Sequence, residues 1–191
     1  MTKTNSGKDW VTWANTSATN SDDVDDLAEP FRTNVKAFIE ALEDAGATVT
    51  VSATRRAAKR AYLFHWSWKI ALGKCKPSEA KVMAGVDIQW DHGELKASKA
   101  GAKEMVSGFG LAVPPKSNVA PSLTSNHIAG NAIDMDIVWS GTISIAKKDG
   151  KLVKVAYMTN PNVNGRLHTV GASYRVIKHT SDAPHWSYNG W

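Results

Sequence analysis

The chain has 191 residues, 42% of them hydrophobic, with eight Trp and a formal net charge of +5. That length defaults to one domain with a real core. A single cysteine, Cys75, excludes an internal disulfide framework and any Cys-rich metal site, and no run of 18 apolar residues is present to cross a bilayer.

Residues 1–26 are rich in Thr, Ser, Asn and Asp and read as a polar, loosely ordered N-terminal extension, with Trp10 and Trp13 available to pack on the body. The polar start has no apolar stretch of the secretory-signal kind. Residues 27–191 read as one domain. Its charge is uneven. Residues 1–30 hold Lys3 and Lys8 against six acids, 2 − 6 = −4, which leaves +5 + 4 = +9 on residues 31–191. A basic body suits an anionic polymer. No zinc finger, RNA-recognition motif or Gly-rich phosphate loop accompanies it, so nucleic acid is not the expected partner.

Asp26 is expected to cap a helix running to about Ala45, with Pro30 in its early turns and Phe31, Val35, Phe38, Ile39 and Leu42 on one face. Thr48–Ser52 is β-branched and predicts a short strand. Arg56–Leu72 predicts a helix whose aromatics wrap widely, as in an element buried on several sides; His65 within it is a packed or surface histidine rather than a ligand. Pro77–Ala84 predicts a second short helix, and Glu94–Phe109 a Lys-rich amphipathic one. Val113–Ser122, with three prolines, is a loop. Residues 132–139 alternate and predict a strand, with Ile133, Met135, Ile137 and Trp139 on one face and Ala132, Asp134 and Asp136 on the other. Thr142–Ala146 and Leu152–Tyr157 flank Lys147-Lys148-Asp149-Gly150, a hairpin signal. Asn160–Gly171 contains a helix, and Tyr174–Lys178 reads as a strand. The expected class is α+β, with N-terminal helices packed on a small antiparallel sheet that carries a metal site.

Two stretches carry the chemistry: Ser125-Asn-His-Ile-Ala-Gly-Asn-Ala-Ile-Asp134 and Asp182-Ala-Pro-His-Trp186. His127, Asp134 and His185 supply two imidazoles and a carboxylate, a ligand set suited to zinc with one position left open. Gly130 allows a turn that brings His127 back over Asp134. A strand at 184–188 would deliver His185 to the same face. Asp182 lies close enough to handle protons there. Asp136 is read as an outer partner for a ligand or a surface residue, rather than a ligand. His168 and His179 are structural or exposed. Ser125 lacks the elbow or Ser-x-x-Lys context of a nucleophile and is instead a hydrogen-bonding residue of the site. The two His are not spaced as His-Glu-x-x-His, so the helical zincin site is excluded.

These motifs resemble the zinc D-Ala-D-Ala carboxypeptidase family, which includes phage L-alanyl-D-glutamate endolysins and, distantly, the hedgehog signalling domain. The resemblance covers roughly residues 30–191. It implies that His127, Asp134 and His185 bind zinc and that Asp182, where many members carry Glu, is the general base. Upstream, Ser52-Ala53-Thr54-Arg55-Arg56 aligns Arg55 with the family's oxyanion-stabilising Arg; the family's Gly, Tyr and Gln are absent there, and Arg56 is adjacent. Ser125 and Trp186 are the substrate-side candidates, with Trp186 read first as packing beside the ligands.

The implied protein is a zinc-dependent peptidoglycan peptidase of the endolysin type, cutting L-alanyl-D-glutamate in the stem peptide. A D-alanyl-D-alanine carboxypeptidase, a secretion-delivered antibacterial effector and a non-enzymatic zinc-binding module are the alternatives. The implied setting is a monomer without stable membrane insertion. It would be held in the host cytoplasm until a holin or a secretion machine brings it to the wall.

Overall fold

A computed structural model describes residues 3–191; the first two residues of the N-terminal extension lie outside it. The fold is α+β, as expected. The chain divides into two compact units: residues 1–19 with 57–123, and residues 20–56 with 124–191. Each is discontinuous in sequence.

In the first unit, residues expected to be loosely ordered form helix α1 (Lys8–Ser17), with Trp10 and Ala14 buried. The long helices α3 (Ala58–Ala71) and α4 (Leu95–Gly108) follow the sequence expectation within two residues. Helix α3 buries Tyr62, Leu63, Trp66, Trp68 and Ile70 on several sides. His65 packs as expected, its Nδ1 meeting the Pro121 carbonyl at 2.8 Å. The short helix expected over Pro77–Ala84 shrinks to one 3₁₀ turn, Pro77–Glu79. A single turn fixes several dihedrals for one hydrogen bond, and no buried apolar face repays it further along. Two two-residue strands escaped the sequence reading, β1 (Thr4–Asn5) and β3 (Ile88–Gln89), which pair in parallel.

The second unit holds the antiparallel sheet. Helix α2 spans Phe31–Asp44, with Pro30 at its N-cap. The helix does not reach back to Asp26, because proline disfavours the helical region for the residue before it, here Glu29; residues 24–26 form a separate 3₁₀ turn. Strands β2 (Thr48–Ala53), β4 (Ala132–Val138), β8 (His185–Ser187) and β7 (Ile177–Lys178) lie in the order β2-β4-β8-β7. The alternation predicted for β4 is realised. Ile133 and Met135 are buried and join Phe31, Val35, Phe38 and Leu42 of α2 in one core. Trp186 of β8 enters the same core, 5.3 Å from the Phe38 ring.

The expected hairpin forms from β5 (Thr142–Ala146) and β6 (Leu152–Ala156), one residue shorter at its end than the sequence reading, with Thr142 paired to Ala156. Helix α6 runs Gly165–Ser173, two residues beyond the expected end. It truncates the strand expected from Tyr174: Tyr174 ends the helix, and Arg175 turns the chain with φ of 62°. Only Ile177 and Lys178 then pair with β8.

Candidate metal centre

All parts of the site belong to the second unit. His127 sits on α5 (Asn126–Ala129), a single turn fixed at both ends. Ser125 caps its start, the Oγ accepting the Ile128 N–H at 3.2 Å. Gly130 ends it in the left-handed conformation, φ 72°. A Cβ at Gly130 would also stand 2.9 Å from the Ala28 backbone nitrogen, so the glycine is required by conformation and by space.

Asp134 and His185 are direct cross-strand partners in the β4–β8 ladder. On the other side of β4, strand β2 is bulged between Val51 and Ala53, so that Ala53 faces Asp134. Bulges re-aim the chain that follows them. Here the next residue is Thr54, whose carbonyl accepts the His127 Nδ1–H at 2.8 Å. A carbonyl can only accept, so this bond puts the proton on Nδ1 and the lone pair on Nε2. His185 is fixed in the opposite sense: its Nε2 faces the Trp191 carbonyl oxygen at 3.3 Å, leaving Nδ1 for the interior.

Three lone-pair atoms therefore converge. His127 Nε2 lies 3.2 Å from Asp134 Oδ1 and 3.2 Å from His185 Nδ1, and His185 Nδ1 lies 3.0 Å from Asp134 Oδ1. Three acceptors at such spacing repel one another unless a proton or a cation sits among them. Ligands of a tetrahedral ion at about 2.0–2.1 Å stand about 3.3 Å apart, so the triangle matches one face of such a site. His127 and His185 are buried and Asp134 is half-buried. The group can hold a metal ion. Both imidazoles already have the outer backbone partner that orients a ligand histidine.

The electrostatics agree. Burial alone would raise the Asp134 carboxyl, but hydrogen bonds and charge from His127 and His185 outweigh it and hold the group well below the ordinary carboxylate range. Burial pulls His127 down, yet the bond to Asp134 and the Thr54 carbonyl lift it above its ordinary value, against the nearby Arg56 charge.

In metal-stripped protein these shifts have a sign. Asp134, depressed below 3.8, stabilises the fold above that value and loses this as pH falls. His127, raised above 6.5, stabilises below that value and loses this as pH rises through its folded pKa. The thermal midpoint of metal-stripped wild type is therefore expected to exceed that of metal-stripped Asp134→Asn most between the ordinary values of 3.8 and 6.5. The gap should narrow on either side. A gap that stays constant through neutral pH would contradict the His127–Asp134 pair.

A cleft of about 530 Å³ opens beside the two histidines of the triad, lined by Thr124, Ser125, Asn126, His127, His185, Asn189 and Trp191. Ser125 thus has both a capping role and a place on the wall. Trp186 does not reach the cleft: it is 1% exposed, so the packing role holds and the substrate-contact role does not. Trp191, which sequence reasoning passed over, is 77% exposed there, with its ring 5.6 Å from His179. Asp182 is exposed on the loop leading into His185. Its backbone is anchored, its carbonyl accepting the His185 N–H at 3.1 Å. Arg55 is exposed and Arg56 half-buried; the Arg56 N–H donates to the His127 carbonyl at 3.1 Å. Asp136 is exposed and lies outside the triad. His168 bonds the Pro161 carbonyl at 2.7 Å and is structural.

Lys178 was not singled out in the sequence. It is 5% exposed, and its ammonium donates to the carbonyls of His179, Asp182 and His185. Burial lowers its pKa to about 8, against the pull of Asp182 and Asp134. One buried cation thus ties down the loop that carries both Asp182 and His185.

Fold and site together define an α+β protein with a candidate metal centre of two histidines and one aspartate. In comparisons with family models, curated proteins and solved structures, nothing matches the chain.

Proposed function

We propose that this protein is a zinc-dependent peptidoglycan peptidase of the phage endolysin type, hydrolysing the L-alanyl-D-glutamate bond of the stem peptide. The observation that carries the reading is the convergence of His127 Nε2, Asp134 Oδ1 and His185 Nδ1 within 3.2 Å of one another, each imidazole fixed by a backbone carbonyl. Two imidazoles and one carboxylate at tetrahedral spacing suit zinc among the common divalent ions. When bound, zinc supplies a Lewis acid that acidifies water and polarises a carbonyl.

The chain's own residues supply the rest. Asp182 takes the proton of the attacking water and returns it to the leaving amine nitrogen. The loop anchored by Lys178 limits how far Asp182 moves, which favours a single proton-transfer geometry. Arg55 counters the negative charge that develops on the scissile carbonyl oxygen. The open cleft beside Trp191 admits an extended peptide. Among the described residues no helix is long and apolar enough to cross a membrane. A holin or a secretion machine is the proposed route to the wall, and the protein is proposed to act as a monomer.

Mass spectrometry of purified peptidoglycan digests tests the assignment. New L-alanine carboxyl ends and new D-glutamate amino ends are expected, with glycan strands intact. Release of free D-alanine alone would move the assignment to the carboxypeptidase. Cut glycan strands would sink the peptidase reading, since nothing in this site attacks a glycosidic bond.

A further inference from the structure

The basic charge of the chain is not where the metal centre is. The unit of residues 1–19 and 57–123 holds 12 Lys and Arg against 6 Asp and Glu, 12 − 6 = +6. The unit with the triad holds 11 against 12, 11 − 12 = −1. Among the described residues, every Lys or Arg ion pair lies in the second unit. Among the described residues no cation of the first unit is ion-paired with a carboxylate, and three of its acids are turned to backbone amides instead: Glu79 to Lys76, Glu104 to Lys8 and Asp91 to Gly93.

The kind of cation is also uneven. Of the 12, only Arg60 is an arginine, and it is used internally. Its guanidinium bonds the Ala14 carbonyl and the Asn15 side chain and lies over the Phe64 and Phe109 rings. The remaining cations are lysines, compact point charges that attract anions without the planar, two-point fit that arginine offers carboxylate and phosphate alike. Some are gathered. Helix α4 turns Ser98, Gly101, Ala102 and Met105 inward. Lys96, Lys99 and Lys103, three and four residues apart, form one row on its outer side. A Cβ added at Gly73 would stand 2.9 Å from the Lys99 ammonium, which places that ammonium beside the segment carrying exposed Lys74.

We propose that this unit is a docking surface for a polyol-phosphate polymer attached to the bacterial wall, with the Lys74, Lys96, Lys99 and Lys103 patch as its centre. The choice of a polyol-phosphate wall polymer rests on the peptidase reading above; the lysines supply the row of positive charge that a repeating anionic chain would match. Such binding concentrates the enzyme on its substrate without taking part in hydrolysis.

The test uses full-length protein and a purified, soluble polyol-phosphate polymer, with affinity read by calorimetry over a salt series. Wild type is expected to bind, and to lose about 10–100-fold in affinity between 50 and 200 mM salt, as about four phosphate contacts imply. The K74Q/K96Q/K99Q/K103Q variant is expected to bind at least ~10-fold more weakly, with a flatter salt dependence. It should cleave small soluble muropeptides at the wild-type rate. The control K147Q/K148Q/K151Q/K154Q, in the other unit, should bind like wild type. Equal binding by the two variants, or tighter binding of duplex DNA than of the polymer, would overturn the proposal. Failure of the peptidase reading would show separately, as absent cleavage with polymer binding intact.

Discussion

His127→Ala and His185→Ala are each expected to release the metal and abolish peptidoglycan cleavage. Each removes one of three converging lone pairs, and two remaining donors cannot define a tetrahedral face. Loss of an outer partner alone typically costs about 10–100-fold in metal affinity. Loss of a ligand itself should exceed that. Elemental analysis of the purified variants, beside isothermal titration with zinc, measures the effect directly. The two substitutions differ in their cost to the fold. His127→Ala leaves the Thr54 carbonyl without its donor in a buried place, worth about 1–3 kcal/mol, whereas the Trp191 carbonyl opposite His185 keeps the Ser187 hydroxyl at 3.0 Å. His127→Ala should therefore be the less stable of the pair in metal-stripped form. Full activity in wild-type protein proved free of metal would sink the mechanism.

Asp182→Asn is expected to leave metal content and thermal stability unchanged while turnover falls by about 10²–10⁴-fold, the usual contribution of a positioned acid–base group. The stability half of this expectation follows from exposure: the side chain stands in solvent and outside the triad, and the loop is held through backbone atoms that the substitution keeps. The kinetic half follows from charge, since an amide cannot accept the water proton. Metal analysis and steady-state kinetics on soluble muropeptides check both halves together. Near-wild-type turnover would move the base elsewhere, with Asp136 on the same strand face next in line.

The candidate ligand set was legible because it is carried by side chains at fixed spacing. Alternation over residues 132–139 places Asp134 opposite the apolar row, and the structure keeps that placement. The helical face of Phe31, Val35, Phe38 and Leu42 was legible for the same reason. What could not be read was supplied by the backbone or by distant packing. The Thr54 carbonyl that orients His127 has no residue-type signature, and neither does the bulge that aims it. Helix α1 looks polar in sequence and is secured by Trp10 and Ala14 in a core built with residues of α3 and α4. Lysine on a strand reads as solvent-facing; Lys178 is buried only because three carbonyls of one loop curl around its ammonium. Two-residue strands such as β1 and β3 carry too few side chains for any periodicity to register.

The interruption of the second unit by residues 57–123 has a consequence for folding order. All three candidate ligands lie within residues 127–185, so they leave the ribosome after strand β2. The carbonyl that fixes His127 was synthesised 73 residues earlier, at Thr54. Strand β2 must wait for β4, and their pairing closes a long loop whose entropy grows only slowly with length but slows the search. The ligands can gather first and bind a metal loosely; the tight site appears only when β2 docks. Metal affinity measured during refolding would then rise in two steps, and the second would time the closure of β2 onto β4.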